Sequence, residues 1–320
     1  MRVVVVLLCL LLLMPGLRAW GDEPEPPKVP AGAVFRPTFG TTSGGLSAGT
    51  AFFVLLPVAK EHAEKEAAAA ERAAKDSAEK QPAASAAKDS AAKVEPAEPI
   101  VLLTALHLFG PSGGLKAQVP PAELPARVRG VELVDCFDDD RSLDFEVKAL
   151  LIADAAPLGT ENKGADNSAD GRSPTAGQAG DIAAFHAPAD VKAHVFELAP
   201  TMPKLGERIW LLAEVLDDAF AGRQLHAATL LYVPRDGDCI YEFADPNLEI
   251  RATSGAPILN QQGQVIAINI GGGQTEGKAL GLGNPVTRFR PHLERVPDES
   301  VVFESYLRLA AALMDDKIPF

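Results

Sequence analysis

The chain of 320 residues is 47% hydrophobic and 23% charged, which provides enough apolar material for a sizeable folded core. Acidic side chains outnumber basic ones by 43 to 30, and the formal net charge is −13. This balance argues against a sequence-independent nucleic-acid binder, which needs a basic surplus to neutralise phosphates, and against docking on anionic lipid.

The first 21 residues have the layout of a secretory signal peptide. Arg2 provides a positive start, residues 3–14 are apolar throughout, and the small residues Ala19 and Gly21 stand where a signal peptidase reads the chain. An apolar run of this length is too short to span a bilayer comfortably. We therefore expect residues 1–21 to be cleaved and the protein to be secreted or periplasmic. The alternative is an uncleaved N-terminal segment, which would be the one membrane contact.

After a Pro-rich linker at residues 22–33, short apolar runs alternate with turn residues, a pattern typical of β-strands. Only two segments have helical spacing of apolar residues, one at 285–295 and one near 299–314. The pattern predicts an all-β barrel or sandwich with a C-terminal helix at 297–320. The predicted strands are residues 34–39, 49–56, 100–103, 127–137, 145–153, 181–186, 194–198, 208–214, 225–233, 240–243, 256–259, 264–270 and 279–282.

Two segments interrupt the strand pattern. Residues 58–98 are rich in Ala, Lys and Glu without a sustained apolar face, and residues 157–179 are polar and rich in Gly, Asn and Ser. We expect the first to be a solvated insertion, partly helical and partly flexible, and the second to be a long surface loop.

Cysteine usage is sparse. Cys9 lies inside the predicted signal peptide, which leaves Cys136 and Cys239. In an oxidising compartment these two form either one disulfide or two unpaired buried thiols, and the sequence leaves both open. No Cys or His spacing typical of a metal site occurs, and we expect neither a metal nor an organic cofactor.

Three short patterns carry residues suited to nucleophilic catalysis, and each stands beside a predicted strand. They are T-A-L-H at residues 104–107, D-I-A at 181–183 and S-G-A-P at 254–257. A serine hydroxyl is a poor nucleophile until an imidazole accepts its proton, and a carboxylate holds that imidazole in the correct orientation. The three residue types therefore form one chemical unit if the fold brings them together.

In this order the patterns resemble the chymotrypsin-like (trypsin-fold) serine proteases, especially bacterial members related to the high-temperature-requirement proteases. The G-T-A-F-F-V segment at 49–54 and the G-Q-V-I-A-I segment at 263–268 extend the likeness, which covers about residues 34–296. The resemblance implies two antiparallel six-stranded β-barrels in the trypsin-like fold. The first would comprise residues 34–192 with both insertions, and the second residues 193–296.

The resemblance also implies a role for each matched residue. His107 would act as general base and then general acid, Asp181 would orient it, and Ser254 would be the nucleophile of a serine endopeptidase that forms an acyl-enzyme. The backbone N–H groups of Ala252 and Ser254 would form the oxyanion hole. The substrate would be a peptide or protein.

Four further residues are implied to bind the substrate. Ile270, Gly271 and Gly272 would form one wall of the pocket for the residue before the scissile bond. Leu248, six residues before the serine, would lie near the base of that pocket and favour apolar side chains.

Two departures from the family pattern bear on activity. Ala252 stands where the family has a glycine in a conformation that is costly for a residue with a Cβ, so we expect either backbone strain or a flipped peptide that loses an oxyanion donor. Thr253 replaces the aspartate that pairs with a newly cut N-terminus in digestive relatives, so we expect no activation by that route.

Other interpretations remain open at this stage. Asp144, Asp154 and Asp170 compete with Asp181, although the apolar residues after Asp181 favour it. The main rival is a protease-fold binding or scaffold protein that is catalytically weak or inert, and a lesser one is an exported β-domain whose motif matches are coincidental. An α/β-hydrolase is disfavoured, because alanine stands at both glycine positions of its G-x-S-x-G motif.

Overall fold

The computed structural model describes residues 24–294, except 43, 57–98, 153, 159–178, 217 and 235–236. The predicted signal peptide, the predicted helix at 297–320 and most of both predicted insertions lie outside the described residues. Within the described part, no helix is long and apolar enough to cross a membrane. Residues 24–31 are mostly exposed and contain neither strand nor helix.

The N-terminal half contains two antiparallel sheets, extended by one parallel pair. Its strands are β1 Phe35–Thr41, β2 Gly44–Ser47, β3 Phe52–Leu55, β4 Ile100–Thr104, β5 Val128–Asp135, β6 Asp138–Glu146, β7 Lys148–Ala149, β8 Ala183–His186 and β9 Val195–Phe196. The sheet orders are β2-β1-β5-β6 and β7-β8-β4-β3-β9. Short 3-10 turns at Leu106–Phe109, Pro111–Gly113 and Pro121–Glu123 and the one-turn helix α1 Leu124–Arg127 lie between β4 and β5.

Two connections join these sheets into a barrel of six strand positions. The backbones of Phe35 and Ala51 exchange two hydrogen bonds of 2.9 Å, which links β1 to the start of β3. At the other edge, β6 continues almost directly into β7, so one bent strand pairs with β5 at Glu146 and with β8 at Lys148. The order around the barrel is therefore β1, β5, β6–β7, β8, β4 and β3.

The C-terminal half is a closed barrel of order β10-β11-β12-β15-β14-β13. Its strands are β10 Arg208–Leu212, β11 Leu225–Tyr232, β12 Cys239–Phe243, β13 Pro257–Leu259, β14 Val265–Thr275 and β15 Lys278–Pro285, and a short 3-10 turn, Asp218–Phe220, follows β10. The helix α2 Val286–Leu293 follows the barrel.

Each half has its own core, and the halves share an apolar contact. The side chains of Ile209, Tyr241 and Ile266 are among those inside the second barrel. Leu212 of the second barrel and Phe289 of α2 instead belong to the core of the first half. Burial of this shared surface stabilises the docking of the barrels through the hydrophobic effect.

These observations confirm the all-β prediction, with six strands in each barrel and a helix after the second. The predicted helix at 285–295 agrees with α2. The predicted strand at 145–153 differs, because β6 begins at Asp138 and the described residues 150–152 contain no strand. The chain crosses between barrels at residues 197–198, since β9 still pairs with β3 whereas Leu198 bridges Val265.

Cys136 and Cys239 are buried and free, so of the two alternatives the structure has the unpaired thiols. Burial raises the pKa of both thiols to about 12. Because the thiolate is the reactive form, both thiols have low reactivity near neutral pH.

Candidate active site

The imidazole of His107 and the carboxylate of Asp181 meet at one end of the first barrel. His107 lies in the 3-10 turn that follows β4, and Asp181 lies two residues before β8. Because β4 and β8 are antiparallel and Thr104 pairs with Ala183, the end of one strand adjoins the start of the other. The His107 Nδ1–Asp181 Oδ2 distance is 2.6 Å.

Three aromatic rings hold both segments in place. Phe109, in the same turn as His107, packs against Phe39 at 4.9 Å and against Phe185 at 5.7 Å between ring centroids. Phe185 belongs to β8, the strand that Asp181 precedes, and packs against Phe39 at 5.1 Å. One buried cluster therefore fixes the turn that carries the imidazole and the strand that carries the carboxylate.

Asp181 is only 2% exposed, and hydrogen bonds satisfy its carboxylate. The backbone N–H of His107 donates to Oδ1 at 2.9 Å, and the backbone N–H of Leu158 donates to Oδ2 at 3.0 Å. An ionised carboxylate only accepts, so the neutral imidazole must donate its Nδ1–H to Asp181. Nε2 then carries the lone pair, which is the form that can accept a proton.

The competing aspartates lie elsewhere or outside the described residues. The carboxylate of Asp154 is 3.3 Å from Nδ1 of His292 in α2. Asp144 is exposed on β6 opposite Glu132, and Asp170 is not among the described residues. Of the candidates that the structure describes, only Asp181 is hydrogen-bonded to His107.

Ser254 lies in a tight turn before β13 and docks on the first barrel. Its carbonyl accepts a hydrogen bond of 2.8 Å from the N–H of Thr50. Gly255 has φ +90, and a Cβ there would lie 2.1 Å from the Thr50 carbonyl and 2.5 Å from Thr104 Oγ1. Glycine is therefore required for this close approach, which brings the Ser254 turn to the end of β4 where the His107 turn begins.

Ser254 is half-buried, and among the described residues its hydroxyl forms no hydrogen bond with His107. Catalytic hydrogen bonds are often long or poorly aligned in a free enzyme and shorten when substrate binds. The arrangement thus forms the histidine–aspartate pair and brings the turn that carries Ser254 to the end of β4, where the His107 turn begins.

Ala252 adopts the left-handed conformation with φ +62, the first of the two alternatives set out for this position. A Cβ in this region costs about 1–2 kcal/mol. The N–H of Thr253 donates to Ile250 at 3.4 Å and the N–H of Gly255 donates to Asn269 at 2.7 Å. In the described chain the N–H groups of Ala252 and Ser254 have no such acceptor, so both are available to a ligand.

The predicted pocket wall lies on β14. Ile270 is buried beside Ala105 and Leu108, close to the His107 turn. A Cβ on Gly271 would lie 3.6 Å from the side chain of Leu158, the residue whose N–H binds Asp181. Beyond Ile268, β14 pairs with β15 on one side, and no described strand covers its other edge.

Leu248 occupies a different place from the other predicted residues. It is 3% exposed and lines a cleft of about 470 Å³ together with Trp210 and Leu225. None of the three predicted triad residues borders this cleft. The position of Leu248 at the base of a substrate pocket therefore stays a prediction.

The sequence analysis missed two buried asparagines that hold the site. Asn269 on β14 donates from Nδ2 to the carbonyl of Thr253 at 3.0 Å. Asn284 on β15 donates from Nδ2 to the carbonyl of Ala179 at 3.0 Å, beside Gly180 and two residues before Asp181. The available signal was an amide inside each of two otherwise apolar strand segments, since a buried amide requires a partner.

Comparisons with known proteins give structural matches of low sequence identity. No family model and no curated protein sequence matches the chain. Among solved structures, the active form of the Rv3671c protease from M. tuberculosis matches with a TM-score of 0.42 and 12% identity over 83% of this chain and 81% of that one. The serine protease of a human pathogenic astrovirus matches with a TM-score of 0.38 and 15% identity over 84% and 99%.

A serine endoprotease from Yersinia pestis matches with a TM-score of 0.39 and 12% identity over 81% of this chain and 64% of that one. All three scores lie below 0.5, so a functional conclusion depends on the geometry of the site itself.

Proposed function

We propose that this chain is a secreted serine endopeptidase that hydrolyses peptide bonds through His107, Asp181 and Ser254. The observation that carries the proposal is the 2.6 Å hydrogen bond between His107 Nδ1 and Asp181 Oδ2, formed where the Ser254 turn docks on the first barrel. This bond fixes the tautomer in which Nε2 accepts a proton, which is the requirement for activating a serine.

In the proposed reaction, Ser254 Oγ attacks the carbonyl carbon of the substrate while His107 Nε2 takes its proton. Asp181 stabilises the imidazolium, and the N–H groups of Ala252 and Ser254 bind the oxyanion. His107 then gives the proton to the leaving amine as the C–N bond breaks and the acyl-enzyme forms. A water molecule repeats the attack, releases the acid and regenerates Ser254.

The open edge of β14 supports a peptide substrate. Residues 271–273 are three glycines, pair with β15 on one side and have no described strand on the other. An extended peptide can add to such an edge through backbone hydrogen bonds, and the lack of side chains lets it approach closely. The chemistry requires no metal or organic cofactor.

A fluorophosphonate probe tests the proposal directly, since it reacts with an activated serine. We expect mass spectrometry of the labelled protein to locate the adduct on Ser254. Ser254→Ala and His107→Ala should abolish it, whereas Ser142→Ala, at an exposed serine on β6, should label like wild type. Labelling of the folded His107→Ala variant at the wild-type rate would contradict the proposed base.

The second candidate function is a catalytically weak or inert binding protein built on the same fold. One observation favours it: among the described residues, no hydrogen bond joins the Ser254 hydroxyl to His107. A folded wild-type sample that takes up no probe would support this candidate over the endopeptidase.

Export is proposed from the apolar run at residues 3–14. The intact mass of the protein recovered outside the cytoplasm tests it. A mass equal to that of a chain starting at residue 22 indicates a cleaved signal peptide. The mass of the full-length chain indicates an uncleaved N-terminal segment.

A further inference from the structure

Behind the Ser254 turn lies a chain of three polar side chains inside the second barrel. Asn269 is fully buried; its Nδ2 donates to the carbonyl of Thr253 at 3.0 Å and to Thr253 Oγ1 at 2.9 Å. The hydroxyl of Tyr241, also fully buried, donates to Asn269 Oδ1 at 2.6 Å. Thr253 Oγ1 in turn donates to the carbonyl of Ile250 at 2.7 Å.

The donors and acceptors of this network allow one orientation of the amide. The Thr253 carbonyl can only accept, so the Asn269 NH₂ must face it and Oδ1 must face Tyr241. Oδ1 cannot donate, so the Tyr241 hydroxyl must. The proton of Thr253 Oγ1 goes to Ile250, which leaves its lone pairs for Asn269. Each of these groups is satisfied, as a buried polar group requires.

A glycine on the neighbouring strand makes room for the Tyr241 ring inside the barrel. A Cβ on Gly281, paired with Tyr241 across β12 and β15, would lie 2.1 Å from the tyrosine ring. Glycine on β15 therefore makes the room that the ring occupies. Burying an amide and a phenol in this apolar interior is costly unless both are hydrogen-bonded, and here each satisfies the other.

The consequence of the network lies in the peptide unit between Thr253 and Ser254. Its carbonyl is held inward by Asn269 Nδ2 and by the N–H of Ala256 at 3.0 Å. No peptide bond in the described chain is cis, and in a planar trans peptide the N–H points opposite to the C=O. Holding the Thr253 carbonyl inward therefore turns the Ser254 N–H outward, where it has no acceptor in the described chain.

Resting on the proposed function, we propose that Asn269 is a positioning residue that aims the Ser254 N–H at the substrate oxyanion, with Tyr241 fixing the orientation of its amide. The backbone of Asn269 reinforces this role, since its carbonyl accepts from Gly255 at 2.7 Å and its N–H donates to Ala256 at 2.8 Å. The nucleophile turn is thereby ordered by side chains of the barrel itself.

The test compares Asn269→Asp and Tyr241→Phe with wild type. An aspartate has the same shape, and in its ionised form it cannot donate to the Thr253 carbonyl, so the variants are assayed at alkaline pH. Loss of one oxyanion donor typically lowers the rate by about 10²–10³, so we expect kcat to fall on the order of 10²-fold for Asn269→Asp with KM little changed. Tyr241→Phe should lower kcat in the same direction but less, because the amide keeps its contact with Thr253.

The matched control is Ile209→Val, which removes one methylene from the same barrel core and, being apolar, takes no part in the hydrogen-bond network. It should leave kcat unchanged at a comparable loss of thermal stability. Equal losses of kcat in Ile209→Val and Tyr241→Phe, or an unchanged kcat in folded Asn269→Asp, would overturn the proposal.

Crystal structures of Asn269→Asp and wild type provide a readout that does not need turnover of a substrate. Bound to a peptide aldehyde, wild type should show the hemiacetal oxygen within hydrogen-bond distance of the Ser254 N–H, and the variant should show that contact lengthened or lost. A wild type that does not react with the aldehyde refutes the proposed function. In that case an unchanged 253–254 peptide in folded Asn269→Asp refutes the positioning role separately, and a rotated peptide supports it.

Discussion

Replacing Ala252 by glycine should stabilise the protein, because this residue holds a conformation that suits glycine. Its φ is +62 and its methyl group is exposed, so the substitution removes backbone strain and loses almost no packing. The left-handed region costs a residue with a Cβ about 1–2 kcal/mol, which the glycine variant avoids. The greater conformational freedom of glycine in the unfolded chain offsets about 0.4–1 kcal/mol of this stabilisation. The difference leaves a net stabilisation of about 1 kcal/mol.

For a domain of this size, a change of about 1 kcal/mol moves Tm by about 2–4 °C. Thermal unfolding of Ala252→Gly in a Ser254→Ala background, which lacks the proposed nucleophile, measures the shift. Glu276→Gly is the matched control, since Glu276 is also exposed and has φ +51, but lies in the β14–β15 turn. Ala252→Val should move Tm downward. A lower Tm for Ala252→Gly alongside a higher one for Glu276→Gly would refute the strain at residue 252.

Three further predictions concern other parts of the fold. Gly180→Ala should destabilise the chain by about 1–3 kcal/mol more than Gly206→Ala and should lower kcat. Both glycines have positive φ, but a Cβ at 180 would lie 2.5 Å from Asn284 Oδ1, whereas one at 206 would meet nothing within 4 Å. Equal unfolding free energies of the two variants in urea would contradict the predicted clash. Iodoacetamide at pH 7.5 should alkylate Cys136 and Cys239 only after denaturation, because burial raises the pKa of both thiols to about 12. Rapid alkylation of the folded protein would contradict this prediction. Burial lowers the pKa of His226. Below pH about 6.5 this histidine is therefore protonated more readily in the unfolded chain than in the folded chain, and the free energy of unfolding decreases as the pH is lowered. His226→Gln should make that fall shallower without abolishing it, because burial also lowers the pKa of His194; an unchanged slope between pH 7 and 5 would count against it.

The strands that the sequence predicts well are those whose apolar residues enter a core. The run at 100–103 became β4, and its side chains from Val101 to Thr104 are buried. The strand β6 was largely missed because its first residues are D-D-D-R-S, and backbone pairing with β5 rather than apolar burial holds them. Hydrophobic periodicity has nothing to detect in such a strand.

The same distinction between local sequence pattern and tertiary contact applies to the candidate site. His107, Asp181 and Ser254 were predicted because three short patterns beside apolar strands occur in the order that resembles the trypsin-fold proteases. The roles of Asn269 and Asn284 depend on contacts with residues 16 and 105 positions away, which no local pattern contains. The left-handed backbone of Ala252 was foreseen as one of two alternatives, and only the folded turn distinguishes them.

The docking of the Ser254 turn on Thr50 also sets an order of events during biosynthesis. The imidazole and the carboxylate belong to the first barrel, which a ribosome completes before it reaches residue 254, and domains generally fold as units in the order of synthesis. A nascent chain with only that barrel folded holds the proposed proton acceptor without the proposed nucleophile. The proposed site is complete only when the second barrel closes and docks. A weakened interface between the barrels would therefore abolish the proposed activity while each barrel keeps its own fold.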